Sequence, residues 1–304
     1  MSKTAVSFPM LKRYNQPEIV VAMASAVWGL FWLPLRAFDR SGLDPGWVII
    51  CQFTVPFLFL LVPALRRWWR GQATGITQIA TGLLVGGGVV LYSESLLQTN
   101  VARALILFYV MPAWGTLVEV GLMGRGFTLW RGLALVLSLT GLFALLGLND
   151  SFTFSLNLGD WMALLAGIVF TFGAMRIREM PQISVFEQVF AFFLFGSLVA
   201  VGLSFLPIAA LGQPPQLTLL LTLIPWLLLT TAVLIPVMWG LYWGSRFVDP
   251  GRLGIILQLE AVVGIGSAAL LAGERFGWAE AIGAAFVIGA GLVEVLGNNG
   301  QKKE

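Results

Sequence analysis

The chain has 304 residues, of which 58% are hydrophobic and only 11% charged, with a formal net charge of +3. A soluble domain carries about 25% charged residues, so a chain this poor in charge cannot cover an ordinary water-facing surface. With no His and a single Cys, it can build no Ser-His-Asp triad, no His-containing zinc site and no intramolecular thiolate cluster. The basic residues form no single patch of the kind that binds nucleic acid. They recur in short clusters between apolar runs, the pattern that sets topology in a membrane protein. No metal or cofactor is expected, nor any GxxxxGK phosphate loop.

A helix needs about 20 apolar residues to cross the hydrocarbon core of a bilayer. After a cytoplasmic N-terminal segment (1–17), ten runs qualify: 18–38, 45–65, 74–97, 101–123, 127–147, 158–176, 184–210, 217–243, 251–272 and 277–297. The tail is 298–304. Turn chemistry separates the runs at Asp44-Pro45-Gly46, Gln98-Thr99-Asn100, Asn149-Asp150-Ser151, Gly212-Gln213-Pro214-Pro215 and Asp249-Pro250-Gly251. The connections are short, so consecutive helices are expected to be antiparallel neighbours. Ala24-Ser25-Ala26 resembles a signal-peptide cleavage site, but the apolar run continues through Trp32, and we read it as a retained first span. Cys51, inside the second run, reads as a small buried apolar residue.

With the N-terminus in the cytoplasm, Lys3, Lys12, Arg13, Arg66, Arg67, Arg70, Arg125, Arg131, Arg176, Arg178, Arg246, Arg252, Lys302 and Lys303 fall on the cytoplasmic side. Only Arg36, Arg40, Arg103 and Arg275 fall outside. This bias predicts that both termini are cytoplasmic.

The sequence also matches itself at an offset of 149 residues: Arg103 falls on Arg252, Gly115 on Gly264, Leu122 on Leu271, Gly124 on Gly273 and Phe127 on Phe276. Helix, connector and helix coincide over both stretches. The reading is an all-α membrane protein of about ten transmembrane helices in two five-helix repeats, 18–148 and 158–297. Five is odd, so the second repeat enters the membrane from the opposite side and the repeats are inverted. Inverted repeats recur in secondary transporters, with the site near the midplane between the halves. The plainer alternative is a duplicated bundle that is only stable.

Ala26-Val27-Trp28-Gly29-Leu30-Phe31-Trp32 resembles the first-span Trp-Gly signature of the EamA-type drug/metabolite transporters. Tyr92 to Met123 with Gly124-Arg125-Gly126-Phe127-Thr128 is similar to that family's third and fourth spans and connector. Glu260 to Leu271 with Gly273-Glu274-Arg275-Phe276 is similar to its ninth span and connector. The family often carries a Glu-Pro pair in spans four and nine. Here the pair is split into Met111-Pro112 and Glu260-Ala261. Within the superfamily the whole is most similar to YddG-type amino-acid exporters. That resemblance implies multi-pass insertion in the inner (plasma) membrane and export of an amino acid, with apolar or aromatic side chains favoured.

An ionisable group at mid-membrane depth is costly and usually faces an interior cavity. Glu260 lies near the centre of its span. It reads as lining the substrate path, binding an ammonium group or exchanging a proton; the alternative is a packing element hydrogen-bonded to a neighbouring helix. Glu94 lies closer to the outer interface, and Glu119 toward the cytoplasm near Arg131. Glu18, Glu187, Glu280 and Glu294 sit at span ends and read as solvated. Pro112 removes one helical hydrogen bond, as a flex point or a static kink; Pro56, Pro63, Pro225 and Pro236 carry the same ambiguity. Trp28, Tyr92, Tyr109 and Trp114 are deep enough to form an aromatic wall, and Trp239 and Tyr242 cluster in span eight. For any one of them helix packing is the commoner explanation. Gln258, two residues before Glu260, completes the candidate pathway set. Trp47, Trp68, Trp69, Trp130 and Trp278 read as interfacial anchors. Gly82-x-x-x-Gly86 and Gly240-x-x-x-Gly244 suit close helix packing.

The expected partners are the lipid bilayer, a small-molecule substrate and, for coupling, protons; the oligomeric state is open. The leading reading is a carrier and not an enzyme. A nucleoside or drug-like cation is the alternative cargo. An intramembrane lipid-linked transferase and a non-transporting membrane partner are the alternatives of other classes. Reporter fusions at the C-terminus and in the loop near Asn149 are expected to report opposite sides of the membrane; the same side from both would exclude the ten-span reading.

Overall fold

The computed structural model describes residues 16–71, 77–99, 101–124, 126–146, 156–206, 212–272 and 277–301. All regular structure among them is helical: α1 (Gln16–Gly29), α2 (Trp32–Arg40), α3 (Pro45–Trp69), α4 (Thr77–Gln98), α5 (Val101–Phe108), α6 (Met111–Gly121), α7 (Leu129–Leu146), α8 (Leu158–Glu179), α9 (Val185–Ser204), α10 (Leu217–Ser245), α11 (Pro250–Leu257), α12 (Leu259–Ala272) and α13 (Trp278–Gln301). They make ten spans, because α1–α2, α5–α6 and α11–α12 are each one span with a break inside it. Eight spans are long and apolar enough to cross a bilayer. The other two, α7 and α13, hold shorter apolar stretches, Leu129–Ala144 and Ala281–Val293, and pack along each other.

The order of packing carries the repeat. Span three (α4) packs on span six (α8), and span eight (α10) packs on span one (α1). Span three also packs on span seven (α9), and span eight on span two (α3). Span four packs on span six, and span nine on span one. The pairs two–seven, four–nine and five–ten map onto themselves. Advancing the spans in these pairs by five returns the same pairs, as a two-fold relation between two five-helix halves requires. The odd count makes that relation an inversion.

Local chemistry sets the ends. Pro45 opens α3 after Asp44, and Pro250 opens α11 after Asp249, where the missing N–H has no helical partner to lose. Capping boxes start α8 (Asn157 with Asp160) and α9 (Ser184 with Glu187). The helices run through Pro56 and Pro63 in α3 and through Pro225 and Pro236 in α10. On α10, Leu217, Leu221, Ile224 and Leu228 are exposed in a stripe at helical spacing, the surface expected where lipid is the solvent. Trp68, Trp69, Trp130 and Trp278 near span ends are exposed as well.

One end of the bundle gathers the basic residues and is tied by ion pairs. Glu119 at the end of α6 accepts from the Gly251 N–H at 2.5 Å and pairs with Arg131 at 2.5 Å. Asp249 pairs with Arg178 at 3.2 Å and stands 4.0 Å from Arg131. Arg252 pairs with Glu18 at 3.1 Å. Arg246 donates to the Ile183 carbonyl and to Gln188. The expectation that Glu18 and Glu187 are solvated is therefore corrected. Glu18 is held by Arg252, and Glu187 is buried, its carboxylate turned back onto Ser184. Desolvation lowers the pKa of Arg246, which lies just past α10. The loop around Asn149, the connector residues Arg125, Gly273, Glu274, Arg275 and Phe276, both extreme termini, and the side chains of Arg36, Arg103, Glu280 and Glu294 lie outside the described residues.

Glycine permits the closest helix approaches. A Cβ on Gly115 would stand 2.6 Å from the Gly251 backbone, and one on Gly86 2.6 Å from the Phe192 carbonyl. A Cβ on Gly244 would meet Val21 at 2.3 Å, so both small-residue motifs serve packing. Gly115→Leu should therefore lower the thermal stability of the detergent-solubilised protein by at least about 1–3 kcal/mol, the usual cost of overpacking. Gly121→Ala, which meets nothing within 4 Å, should leave it unchanged or slightly higher.

Candidate substrate site

The site begins with two interrupted helices. Span four stops being helical at Tyr109-Val110, and span nine at Gln258. These positions differ by 149 residues, the offset of the sequence repeat. Pro112 falls in the first turn of α6, so it starts a new segment instead of kinking a continuous one. An interruption frees backbone groups, and lipid offers them no partner. Side chains supply one. Gln258 Nε2 donates to the Tyr109 carbonyl at 3.3 Å, so one break caps the other. The Gln258 amide oxygen accepts from Ser138 at 2.8 Å, and Ser25 donates to the Leu257 carbonyl at 2.8 Å.

The break in span nine releases Glu260 toward the interface between the halves. A Cβ on Gly29 would stand 2.6 Å from the Glu260 carbonyl, so only glycine lets α1 approach α12 this closely. That contact explains the Trp28-Gly29 pair: the glycine brings span one in, and Trp28 is delivered to the same cavity. The Tyr109 hydroxyl donates to Glu260 Oε2, and the Tyr92 hydroxyl donates to Oε1 at 3.3 Å. Tyr92 stacks on Phe108 with centroids 4.2 Å apart, and Phe108 meets Tyr109 edge-on at 5.2 Å. The two phenols are thus held as a rigid pair of donors by a ring between them.

Opposite, Tyr242 packs edge-on against Phe192 at 6.1 Å. Its hydroxyl is buried and has no hydrogen-bond partner among the described residues. The cavity has an aromatic and aliphatic wall, and among the described residues Glu260 is the only charged one lining it; no described Lys or Arg does. The void is about 60 Å³ for the centres of water molecules, room for a few waters and too narrow for an organic metabolite.

Of the sequence candidates, Glu260, Tyr109, Tyr92, Trp28 and Tyr242 meet at this cavity. Gln258 and Pro112 lie at the breaks, both buried, and do not line it. Trp114 is partly buried in α6 and also stands off the cavity. Glu94 is buried and does not line the cavity. Trp239 is 41% exposed and faces away from the cavity. Sequence reasoning missed Phe108, which orients the phenols, and Ser25 and Ser138, which satisfy the broken backbone. Phe108 immediately precedes Tyr109, but nothing in the sequence distinguishes it from the other 21 Phe residues.

Comparison with known proteins fits this architecture. The model of the EamA-like transporter family matches residues 16–147 and again residues 157–294. The chain belongs to the EamA-like transporter family. The EamA model thus matches twice in tandem, once over each five-helix half. One solved crystal structure, described only as that of a protein, shares 16% identity over 93% of this chain and 97% of its own, with a TM-score of 0.71. At that identity it attests the fold alone. A search of curated proteins gives no match.

The capped breaks and the carboxylate make separable claims. Gln258→Leu leaves the Tyr109 carbonyl and the Ser138 hydroxyl without partners and should cost roughly 1–3 kcal/mol of stability. Glu260→Gln keeps the shape and an acceptor for the phenols. Its melting temperature should stay near that of the unmodified protein, whereas Gln258→Leu should melt several degrees lower.

Proposed function

We infer that this chain, as a member of the EamA-like transporter family, is a multi-pass membrane transporter of a drug or metabolite. We propose that it is a secondary transporter working by alternating access, and that its cargo is an amino acid or similar molecule with an ammonium group and an apolar or aromatic body. The observation that carries this reading is the composition of the cavity among the described residues: one carboxylate, three tyrosines, one tryptophan and no basic residue. A carboxylate in an aromatic enclosure attracts an ammonium by charge, and the ring faces add cation–π attraction. A sugar phosphate would meet no Arg or Lys there, which phosphate recognition normally uses.

Glu260 plays two parts in this scheme. It is the counter-charge for the ammonium, and it is the group that takes up a proton when the ammonium leaves. Tyr92 and Tyr109 donate to the carboxylate and stabilise its charged form while the ammonium is bound. The Tyr242 hydroxyl is available to a polar group of the cargo. Opening toward the basic end, which we assign to the cytoplasm, requires the ion pairs that join Glu119 and Arg131 to Asp249 and Gly251 to part. Those contacts tie spans four and five to span nine across the two halves, so breaking and remaking them fits one half rocking against the other. The basic bias supports the orientation with both termini cytoplasmic, and the resemblance to amino-acid exporters supports residence in the inner membrane. The direction we favour is export, on resemblance to amino-acid exporters.

The test is flux in proteoliposomes of the purified protein, loaded in parallel with labelled phenylalanine, threonine, a nucleoside and a sugar phosphate. Phenylalanine should leave fastest, and Glu260→Gln should cut that release at least about tenfold, as expected for losing a charge-assisted contact. Release of nucleoside or sugar phosphate without amino-acid flux would refute the cargo and leave the transporter intact. Unchanged phenylalanine flux in Glu260→Gln across pH 5 to 8 would reduce that carboxylate to a structural role.

A further inference from the structure

A second cavity lies on the outside of the bundle at its basic end, between the C-terminal part of α3, the start of α4 and the first turns of α9. It measures about 310 Å³, within the roughly 300–1,000 Å³ range of ligand sites. Leu61, Leu65, Phe190, Leu194 and Phe195 give it apolar walls that continue into the lipid-facing surface. At its basic end stands Arg67. The guanidinium lies over the Phe186 ring, 5.1 Å from the centroid, which holds it in one plane. Its Nε is buried and has no acceptor among the described residues. The carboxylate at this groove, Glu187, is turned onto the Ser184 hydroxyl at 2.7 Å and caps α9. Arg66 and Arg70 flank the mouth as exposed residues, and Trp68, 64% exposed, sits at the level where an aromatic ring meets lipid headgroups.

We propose that this groove binds one anionic glycerophospholipid of the surrounding leaflet, its phosphate on Arg67 and an acyl chain along the apolar wall. Two independent requirements are met. A phosphate supplies the acceptor that Arg67 Nε lacks, in the bidentate geometry that arginine favours. A buried apolar trough open to the bilayer suits an acyl chain and no soluble anion. Three arginines within five residues at the membrane surface add a field that selects anionic over zwitterionic headgroups. The bound lipid would bridge spans two and seven, a pair related to itself by the repeat symmetry, and so belongs to both halves. The proposal does not depend on the cargo assigned to the central cavity.

Native mass spectrometry of the full-length protein, released from equal amounts of phosphatidylglycerol and phosphatidylcholine, tests it. The unmodified protein should retain phosphatidylglycerol in preference. Arg67→Gln should lower that retention about fivefold, and Arg70→Gln, at an exposed position, by less than twofold. Ala64→Trp, which fills the trough and changes no charge, should lower it as much as Arg67→Gln. Melting in zwitterionic detergent checks that each variant is folded. If Arg67→Gln does not fold, Ala64→Trp decides alone, and undiminished retention there overturns the proposal. Equal retention of the two lipids by the unmodified protein overturns it, as does displacement of the lipid by soluble glycerol phosphate at matching concentration.

Discussion

The structure depends on one constraint: inside a bilayer every backbone amide and carbonyl must find a partner within the protein. Two helices are nevertheless broken at mid-depth, and the breaks are tolerable because they face each other. Gln258, at one break, donates to the carbonyl exposed at the other, Tyr109. Ser25 and Ser138 complete the set from spans one and five. The polar centre of the molecule is therefore built from both halves and cannot exist in either alone. Around it the largest contacts between spans follow the same two-fold logic: three with six repeats as eight with one, and the pairs two–seven, four–nine and five–ten map onto themselves.

A broken helix also changes what a side chain can reach. Glu260 stands in the first turn after the break, where the shifted backbone and the close passage of Gly29 set it at the seam between the halves. Two phenols from spans three and four meet it there. In lipid a lone carboxylate would be expensive; with two hydroxyl donors it is accommodated without a basic partner, and that leaves its charge for a ligand. The cavity's polarity thus follows from the same interruption that the capping residues make affordable.

The charged end of the molecule works differently. There the ion pairs of Glu119, Arg131, Arg178, Asp249, Arg252 and Glu18 join spans from both halves. The Arg178–Asp249 pair is partly exposed and can be exchanged at modest cost, whereas Glu119 is fully buried, so its partners can part only as the halves separate and water enters. The centre, by contrast, has no solvent to take over, so the capped breaks are better suited to persist while the halves move about them.

Much of this was legible in the sequence. Composition and the spacing of apolar runs gave the class and the spans, since insertion in a bilayer is governed by local hydrophobicity and length. The alternation of basic clusters predicted that they share one end, and Arg67, Arg131, Arg176, Arg178, Arg246 and Arg252 do. The offset of 149 residues was legible, and the structure showed that it relates Tyr109 to Gln258, the positions where spans four and nine break. The tertiary structure alone decided which aromatics converge. Trp28, Tyr92, Tyr109 and Tyr242 face the cavity while Trp114 and Trp239 do not, because in a helix apolar on all sides no periodicity separates a lipid-facing ring from an inward one. It also decided that Pro112 begins a helix, that Gln258 serves a neighbour's backbone and that Glu18 and Glu187 are engaged. Each of those facts depends on a partner from a distant span, and pairings over such separations are set only when the helices pack.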